Sequence, residues 1–454
     1  MSAISTITPP LNRPVTQQRI FSTWWPLAAS WLFMGLELPL VSAVMARLAD
    51  PTIHLAAYGG VVFPVALIVE APVIMLLAAS TALSRDLASY RKMYRFMMWT
   101  GGLLTLLHAA IAFTPLFDIV VVGLIDPPAA IIEPARLGLM IMLPWTWTIA
   151  YRRFHQGVLI RFGYPKAVTI GTAIRFAAVI AALLITTAIG GLPGIVVATI
   201  AIAAGVSAEA VYTGFRAHPI IHGPLTDAPV VTPPLNWADF YNFYIPLALT
   251  SLLLLAVQPL GSATISRMPR ALESLAVWPV LNGLLFMLRS LGYAYNEVVV
   301  ALMDERGAFR SLRRFTVLLA SGVFVLTLAI AATPLSHFWF VTVSGLSEEL
   351  ADLARTGLWL GLLWPALDAV RNYYQGTIMF GRRTRSITES VVVFLVVSSA
   401  LLFIGVALQT FPGIAVALVS FIAGTLAQLG WLWWRSRPII AALNASEPAG
   451  ETTG

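Results

Sequence analysis

Ionisable side chains inside long apolar stretches are the residues of this sequence that can carry chemistry. Glu37, Glu70 and Arg289 each lie far from the ends of such a stretch. A charge near the centre of a bilayer costs about 2.5–3.5 kcal/mol on insertion scales, so it usually faces a bundle interior or a water-filled path. Glu70 also lies between Pro64 and Pro72, which predict a kinked helix with free backbone carbonyls. We predict that these three charges contact a substrate or a coupling ion.

Polar side chains accompany Arg289 along one face of its predicted helix. Tyr293, Asn296 and Glu297 follow it by four, seven and eight residues, and this spacing places them on the same side. A polar face within lipid has to meet protein or water. These three residues therefore belong to the predicted site.

A second predicted helix carries the same kind of polar face. Asp368, Arg371, Asn372 and Gln375 fall at positions i, i+3, i+4 and i+7. This face either lines a cavity or lies near the cytoplasmic end, where Arg371 would extend its guanidinium to the membrane surface. On the first interpretation Asp368, Arg371 and Gln375 join the site. Further ionisable side chains within apolar stretches are Arg175, Glu209, Glu389 and His108.

Several kinds of site are excluded by what the sequence lacks. It has no cysteine, which rules out disulfides, thiolate metal sites and a cysteine nucleophile. It has no paired-histidine metal motif and no Gly-rich phosphate-binding loop. Its net charge of +7 is spread between apolar stretches, unlike a nucleic-acid-binding surface. We expect no enzyme activity, no ATP hydrolysis, no nucleic-acid partner and no cofactor beyond H⁺ or Na⁺ as a coupling ion.

The composition predicts an all-α polytopic membrane protein. With 58% hydrophobic and 11% charged residues, the chain has more apolar surface than a soluble core can bury, since a soluble domain is about 25% charged. A transmembrane helix needs about 20 predominantly apolar residues. Twelve such spans are predicted at 24–46, 55–83, 95–124, 136–160, 168–190, 194–216, 243–265, 272–302, 313–343, 352–380, 386–408 and 412–434.

The loops between these spans alternate in charge. Those after spans 2, 4, 8 and 10 are basic, as at Arg85, Arg161 and Arg383. The loops on the other side are poor in Lys and Arg, and two are acidic, as at Asp126 and Glu348. The positive-inside rule then places the basic loops and both termini in the cytoplasm. Loops this short are typical of a bacterial inner-membrane protein.

An internal repeat organises the chain. Matched pairs at an offset of 220 and then 219 residues are Pro39 with Pro259, Arg47 with Arg267, Arg152 with Arg371, and Gln156 with Gln375. Each repeat holds six predicted spans, an even number, so both enter the membrane from the same side. We predict two parallel six-helix bundles related by a pseudo-twofold axis along the membrane normal.

The offset of 219 makes Glu70 and Arg289 equivalent positions in the two repeats. Equivalent positions on an axial pseudo-twofold can face each other across a central cleft. We therefore predict that Glu70 and Arg289 form a midplane charge pair or jointly face the substrate path. The alternative is two separate structural charges, each bonded within its own bundle.

The repeat also sets the predicted domain boundaries. Residues 1–216 form the N-terminal bundle, and residues 241–442 form the C-terminal bundle. The segment 217–240 is rich in proline and polar residues and is expected to be a cytoplasmic linker. The small, polar tail 443–454 is expected to be disordered.

Two six-span bundles joined by a cytoplasmic linker resemble the MOP flippase superfamily, which includes the MATE multidrug exporters, polysaccharide flippases and lipid II flippases. Within it, the sequence most resembles the progressive-ankylosis family. The residues that carry this likeness are Ile245-Pro246-Leu247-Ala248-Leu249, Gln258-Pro259, Ser266-Arg267, Tyr293, Tyr295 and Glu297. The resemblance implies a V-shaped cavity lined by spans 1, 2, 7 and 8, with alternating access between two bundles.

The progressive-ankylosis resemblance also implies export of small anions such as pyrophosphate, nucleotides and citrate, with Arg289 as a counter-charge. Glu37, in contrast, is placed like the acidic cation-coupling residue of MATE exporters. We expect a monomeric secondary transporter in membrane lipid, in which Glu37 or Glu70 takes up H⁺ or Na⁺ and Arg289 holds or gates the substrate. A lipid-linked sugar flippase and a coupled exporter of cationic drugs, both of the same fold, stay open as alternatives.

Overall fold

The computed structural model describes residues 15–446 except 304, 306, 382 and 384, and this part of the chain is helical with no strand. The first half contains α1 (Gln17–Gly35), α2 (Glu37–Met45), α3 (Pro51–Ala57), α4 (Phe63–Ile74), α5 (Leu76–Leu83), α6 (Leu87–Phe113), α7 (Ile132–Ile141), α8 (Leu143–Arg161), α9 (Pro165–Ile189) and α10 (Gly194–Ile221). The predicted all-α class is confirmed.

The second half has a similar order, with one long helix where the first half has α3, α4 and α5. It contains α11 (Trp237–Leu255), α12 (Val257–Ser266), α13 (Ala271–Leu302), α14 (Ala308–Ala332), α15 (Leu335–His337), α16 (Glu348–Leu360), α17 (Trp364–Phe380), α18 (Arg385–Leu408) and α19 (Gly413–Ser446). π-Helical segments cover Tyr58–Val62, Asp118–Ile125 and Phe338–Val343. Because α19 runs to Ser446, the first part of the predicted tail is helical, and 447–454 lie outside the described residues.

Ten helical stretches in the described part of the chain are long and apolar enough to cross a membrane. The fourth predicted span of each half does not form a helix of the length and hydropathy that crossing a membrane requires. It is interrupted, between α7 and α8 in the first half and between α16 and α17 in the second, and it carries polar side chains. The count of twelve spans therefore stays a prediction.

Proline explains why the first span of each half is broken. Pro39 has no N–H to donate to the carbonyl of Gly35 four residues earlier, and Pro259 has none for Leu255. α1 ends at Gly35 and α11 ends at Leu255, each one turn before the proline. Both spans therefore consist of two helices that can pack against different neighbours.

The first helix of each broken span packs against the other half of the chain. The indole of Trp24 in α1 donates to the carbonyl of Leu291 in α13 at 2.9 Å. The hydroxyl of Tyr244 in α11 donates to the carbonyl of Pro72 in α4. These two bonds are equivalent in the repeat, at offsets of 220 for the donors and 219 for the acceptors. α1 and α11 thus tie the halves together reciprocally.

The molecule has two ends that differ in their loops. We call the end with the loops that start at Ser84, Phe162, Met303 and Gly381 the basic end. The opposite end carries the loops 46–50, 114–131, 190–193, 267–270, 333–347 and 409–412. The segment between α10 and α11 is 222–236, within the predicted linker, and it lies at the basic end, where Val231 N–H donates to Asp86 at 2.9 Å.

The halves also meet near the opposite end, where glycines allow close approach. A Cβ at Gly59 would lie 2.6 Å from a ring carbon of Pro279, and one at Gly60 would lie 3.0 Å from Leu275. Real Cβ atoms essentially never approach within 3.0 Å of another heavy atom. The start of span 2 is therefore held tightly against the start of span 8.

Replacing Gly376 by alanine should destabilise the crossing of α17 and α13. The new Cβ would lie 2.8 Å from Val299 Cβ, and overpacking of this kind costs about 1–3 kcal/mol. Gly102 in α6 is the matched control, because a Cβ there meets nothing within 4 Å and alanine favours the helix. Thermal unfolding in detergent should give a lower midpoint for Gly376→Ala than for Gly102→Ala. Equal midpoints would contradict this packing.

Candidate functional site

A buried carboxylate shared by two arginines forms the centre of the site in the second half. Asp368 in α17 is fully buried and pairs with Arg289 in α13. Its other oxygen lies 3.2 Å from Arg371 Nη2, one helical turn along α17. Two guanidiniums share one carboxylate, so this group of three carries a formal charge of +1.

Aromatic rings flank these charges. The Arg289 guanidinium lies 3.9 Å from the ring centre of Trp364, and the Tyr293 ring lies 5.6 Å from Arg289 and 5.8 Å from Arg371. Ring faces at these distances attract cations. The rings thus hold both guanidiniums in place beside an opening in the bundle.

That opening is a cavity of about 260 Å³, which we call the C-half pocket. Its polar lining consists of Gln258, Asn282, Arg289, Tyr293, Arg371 and Gln428, and its aromatic lining consists of Trp278, Trp364, Phe394 and Phe421. These residues come from spans 7, 8, 10, 11 and 12. The resemblance implied a cavity lined by spans 1, 2, 7 and 8, and the pocket differs because its lining residues all belong to the second half.

The first half holds a chain of alternating charges. Glu37 pairs with Arg175 at 2.6 Å, Arg175 lies 4.0 Å from Glu209, and Glu209 pairs with Arg152 at 3.0 Å. Gln156 donates to the second oxygen of Glu209 at 2.9 Å. We call these residues, together with Glu70 and Arg153, the N-half network.

Glu70 is buried beside this chain, and its location overturns one prediction. The charges that act most strongly on it are those of Arg152 and Arg153. Its Oε2 has no hydrogen-bond partner among the described residues. Arg289 instead pairs with Asp368 in the other half. The predicted direct pair of Glu70 with Arg289 is therefore wrong, because each charge finds its partners within its own half.

The internal repeat relates the two groups of residues. At an offset of 219, the N-half residues and their C-half equivalents are Trp145 and Trp364, Arg152 and Arg371, Glu209 and Gln428, Glu70 and Arg289, and Ile149 and Asp368. In the N-half network three carboxylates balance three guanidiniums. None of these three acids has an acidic equivalent in the second half, where Asp368 is shared by Arg289 and Arg371, and this leaves the excess positive charge.

Other predicted residues lie outside the lining of the C-half pocket. Asn296 has a buried Oδ1 that no described residue satisfies. Glu297 is exposed and faces Trp31. Gln375 is half-buried on α17, beyond the pocket. Sequence reasoning missed Trp364, Gln258, Asn282 and Gln428; the repeat could have indicated Gln428 through its equivalent Glu209.

No family model matches the sequence, and no curated protein sequence matches it. Solved structures do match. An inward-facing MATE multidrug resistance transporter of the MOP superfamily has a TM-score of 0.74 at 14% identity, over 96% of this chain and 100% of that one. The chain has the MATE fold. The MOP resemblance predicted from the sequence is confirmed at the level of fold, whereas the progressive-ankylosis likeness stays a prediction.

Two further structures extend this likeness. The lipid II flippase MurJ, in an inward closed conformation, has a TM-score of 0.66 at 14% identity and covers 94% of each chain. An outward-facing MATE transporter has a TM-score of 0.58 at 18% identity, over 95% of this chain and 98% of that one. With its apolar spans and this fold, the chain is an integral membrane protein.

Replacing Asp368 should destabilise the protein more than replacing Arg289. Asp368→Asn leaves two guanidiniums without their shared carboxylate, and an uncompensated buried charge costs about 3–5 kcal/mol. Arg289→Ala leaves Asp368 paired with Arg371 at 3.2 Å. Thermal unfolding in detergent should therefore give the lower midpoint for Asp368→Asn. A lower midpoint for Arg289→Ala would show that Asp368 does not hold the group together.

Proposed function

We propose that the protein is a secondary active transporter that works by alternating access and exports a small organic or phosphate-containing anion. The observation that carries this proposal is the excess positive charge of the C-half pocket, where Arg289 and Arg371 share Asp368. A buried net charge is costly unless an opposite charge joins it. An anionic substrate would supply that charge.

The donors that line the pocket suit such a substrate. Within the described part of the chain, Arg371 Nε and Trp364 Nε1 are buried N–H groups without an acceptor. An unsatisfied buried donor costs about 1–3 kcal/mol. The planar guanidinium matches carboxylate and phosphate oxygens in pairs. A carboxylate or phosphate in the pocket would therefore satisfy groups that the protein leaves unpaired.

The N-half network would serve as the coupling site. Glu37 is bonded to Arg175 at 2.6 Å, whereas Glu70 keeps one oxygen without a partner in the described structure. Uptake of H⁺ or Na⁺ at Glu70 would change the charge balance of the network. Since the network and the C-half pocket lie in different halves, coupling would act through the contacts between the halves.

Alternating access requires a ligand that binds the two states differently. The halves are closed together near the opposite end, at Gly59 against Pro279, and the fold is more similar to the inward-facing MATE structure. We infer that the basic end faces the cytoplasm, that both termini lie there, and that the protein is a monomer in a bacterial inner membrane.

A lipid-linked sugar flippase is the second candidate, and one observation favours it. A cavity of about 550 Å³ lies between α1 and α14, with Phe21, Trp24 and Phe315 in its almost wholly apolar lining. Such a cleft would accept a lipid chain while the pocket held a headgroup. A coupled exporter of cationic drugs is less well supported, because the C-half pocket is positively charged.

Uptake into proteoliposomes tests the anion proposal. Labelled citrate, pyrophosphate and ATP are offered to wild type, to Arg289→Ala, and to Arg270→Ala. Arg270 is the matched control because it lies at the opposite end and bonds Glu349 within the same half. Wild type and Arg270→Ala should show saturable uptake of at least one anion. Arg289→Ala should lose roughly thirtyfold or more, as expected for a buried charge partner.

Two outcomes would contradict the proposal. If Arg289→Ala leaves uptake unchanged, the C-half pocket does not lie on the substrate path. Folded wild-type protein that takes up none of the three anions would favour the flippase, which flipping of a fluorescent lipid-linked sugar would then measure.

A further inference from the structure

An arginine of the first half binds the second half at the opposite end. Arg47 follows α2, and its Nη2 donates to the carbonyls of Thr342 and Val343 at 2.6 and 2.9 Å. These two residues end the π-helical segment Phe338–Val343. The same guanidinium donates to Ala43 of its own helix at 2.6 Å, which fixes the direction of the side chain.

An arginine of the second half makes the reciprocal contact. Arg267 follows α12, and its guanidinium donates to the carbonyls of Leu124 and Ile125 at 3.1 and 3.2 Å. These residues end the π-helical segment Asp118–Ile125 of the first half. Arg267 also donates to Ala263 of its own helix at 2.7 Å.

The repeat relates the two arginines and one carbonyl of each contact. Arg47 and Arg267 differ by 220 residues, and the carbonyls of Val343 and Leu124 differ by 219. We call these contacts latch 1, made by Arg47, and latch 2, made by Arg267. Each half thus contributes one arginine that reaches the end of the other half's π-helical segment.

A residue just beyond each π-helical segment, Asp126 in one half and Gly345 in the other, distinguishes the latches. Asp126 and Gly345 are equivalent and both have a left-handed backbone, with φ of 56° and 75°. The Asp126 carboxylate lies 3.6 Å from Arg267 Nε and adds an ion pair to latch 2. In latch 1 a Cβ at Gly345 would lie 2.9 Å from Arg47 Nη1, so glycine leaves room for the guanidinium.

Helix ends explain why arginine fits here. The last carbonyls of a helix have no partner within it, and they carry the negative end of the helix dipole. A guanidinium that reaches them makes charge-assisted hydrogen bonds. Each latch joins one half of the chain to the other, so neither can persist when the halves separate at the opposite end.

We propose that Arg47 and Arg267 are paired latches that hold the opposite end closed and so set the balance between the two access states. This inference rests on the alternating access of the proposed function, and it does not depend on which substrate is moved. Because latch 2 has the additional carboxylate of Asp126, loss of Arg267 should shift the balance more than loss of Arg47.

The absence of cysteine from the natural sequence allows a direct test. Leu275 is fully buried in the contact between the halves, next to Gly60. In a Leu275→Cys background, the rate of labelling by a maleimide reports how often the opposite end opens. The measurement uses the full-length protein in nanodiscs without substrate. The labelling rate therefore does not depend on whether the protein transports anions, and the two proposals can fail separately.

Arg47→Ala with Arg267→Ala should label roughly fivefold faster than the Leu275→Cys parent, because exposed charged contacts each shift an equilibrium by a small factor. The single variants should be intermediate, with Arg267→Ala faster. Arg270→Ala is the matched control, because among the described residues this arginine of the same end pairs with Glu273 and Glu349 of its own half, and it should label like the parent. Parental rates in the double variant would overturn the proposal.

Lysine variants keep the test decisive if the alanine variant does not fold. Arg47→Lys with Arg267→Lys retains both positive charges but removes the forked donors that reach two carbonyls at once. A monodisperse protein that labels faster than the parent supports the latches. A monodisperse protein with the parental rate would show that these arginines do not hold the end closed.

Discussion

A charge placed among apolar helices is stable only where an opposite charge or a strong acceptor lies within reach, and much of this structure follows from that constraint. Asp368 lies between Arg289 and Arg371, and Glu209 lies between Arg152 and Arg175. The helices that carry these groups have to meet closely. The pairing therefore fixes which helices are neighbours in each half.

The repeat uses one framework for two different charge patterns. Trp145 and Trp364 are equivalent, as are Arg152 and Arg371. Around this common frame, the charges of the N-half network balance, whereas Arg289, Arg371 and Asp368 beside the C-half pocket leave one surplus positive charge. The packing of α1 and α11 against the opposite halves keeps the two halves in contact.

The sequence predicted the parts of the structure that local chemistry controls. Apolar runs predicted ten spans that the structure contains. The breaks in the first span of each half were not predicted, although Pro39 and Pro259 explain them. The offset of the repeat located Arg371 from Arg152 and Arg267 from Arg47. It did not show which way each side chain points, so Glu70 and Arg289 were paired wrongly. The interruption of the fourth span in each half, and the packing of α1 and α11 against the opposite halves, depend on tertiary contacts. No local sequence pattern encodes such contacts.

Ligand-dependent thermal stability of the purified wild-type protein tests the central claim most directly, because a ligand that binds only the folded state raises its stability. Citrate and pyrophosphate are titrated at constant ionic strength against tetraphenylphosphonium, a bulky organic cation. The account predicts a saturable rise in the unfolding midpoint with at least one of the anions and none with the cation. Stabilisation by the cation alone would contradict an anion site in the C-half pocket.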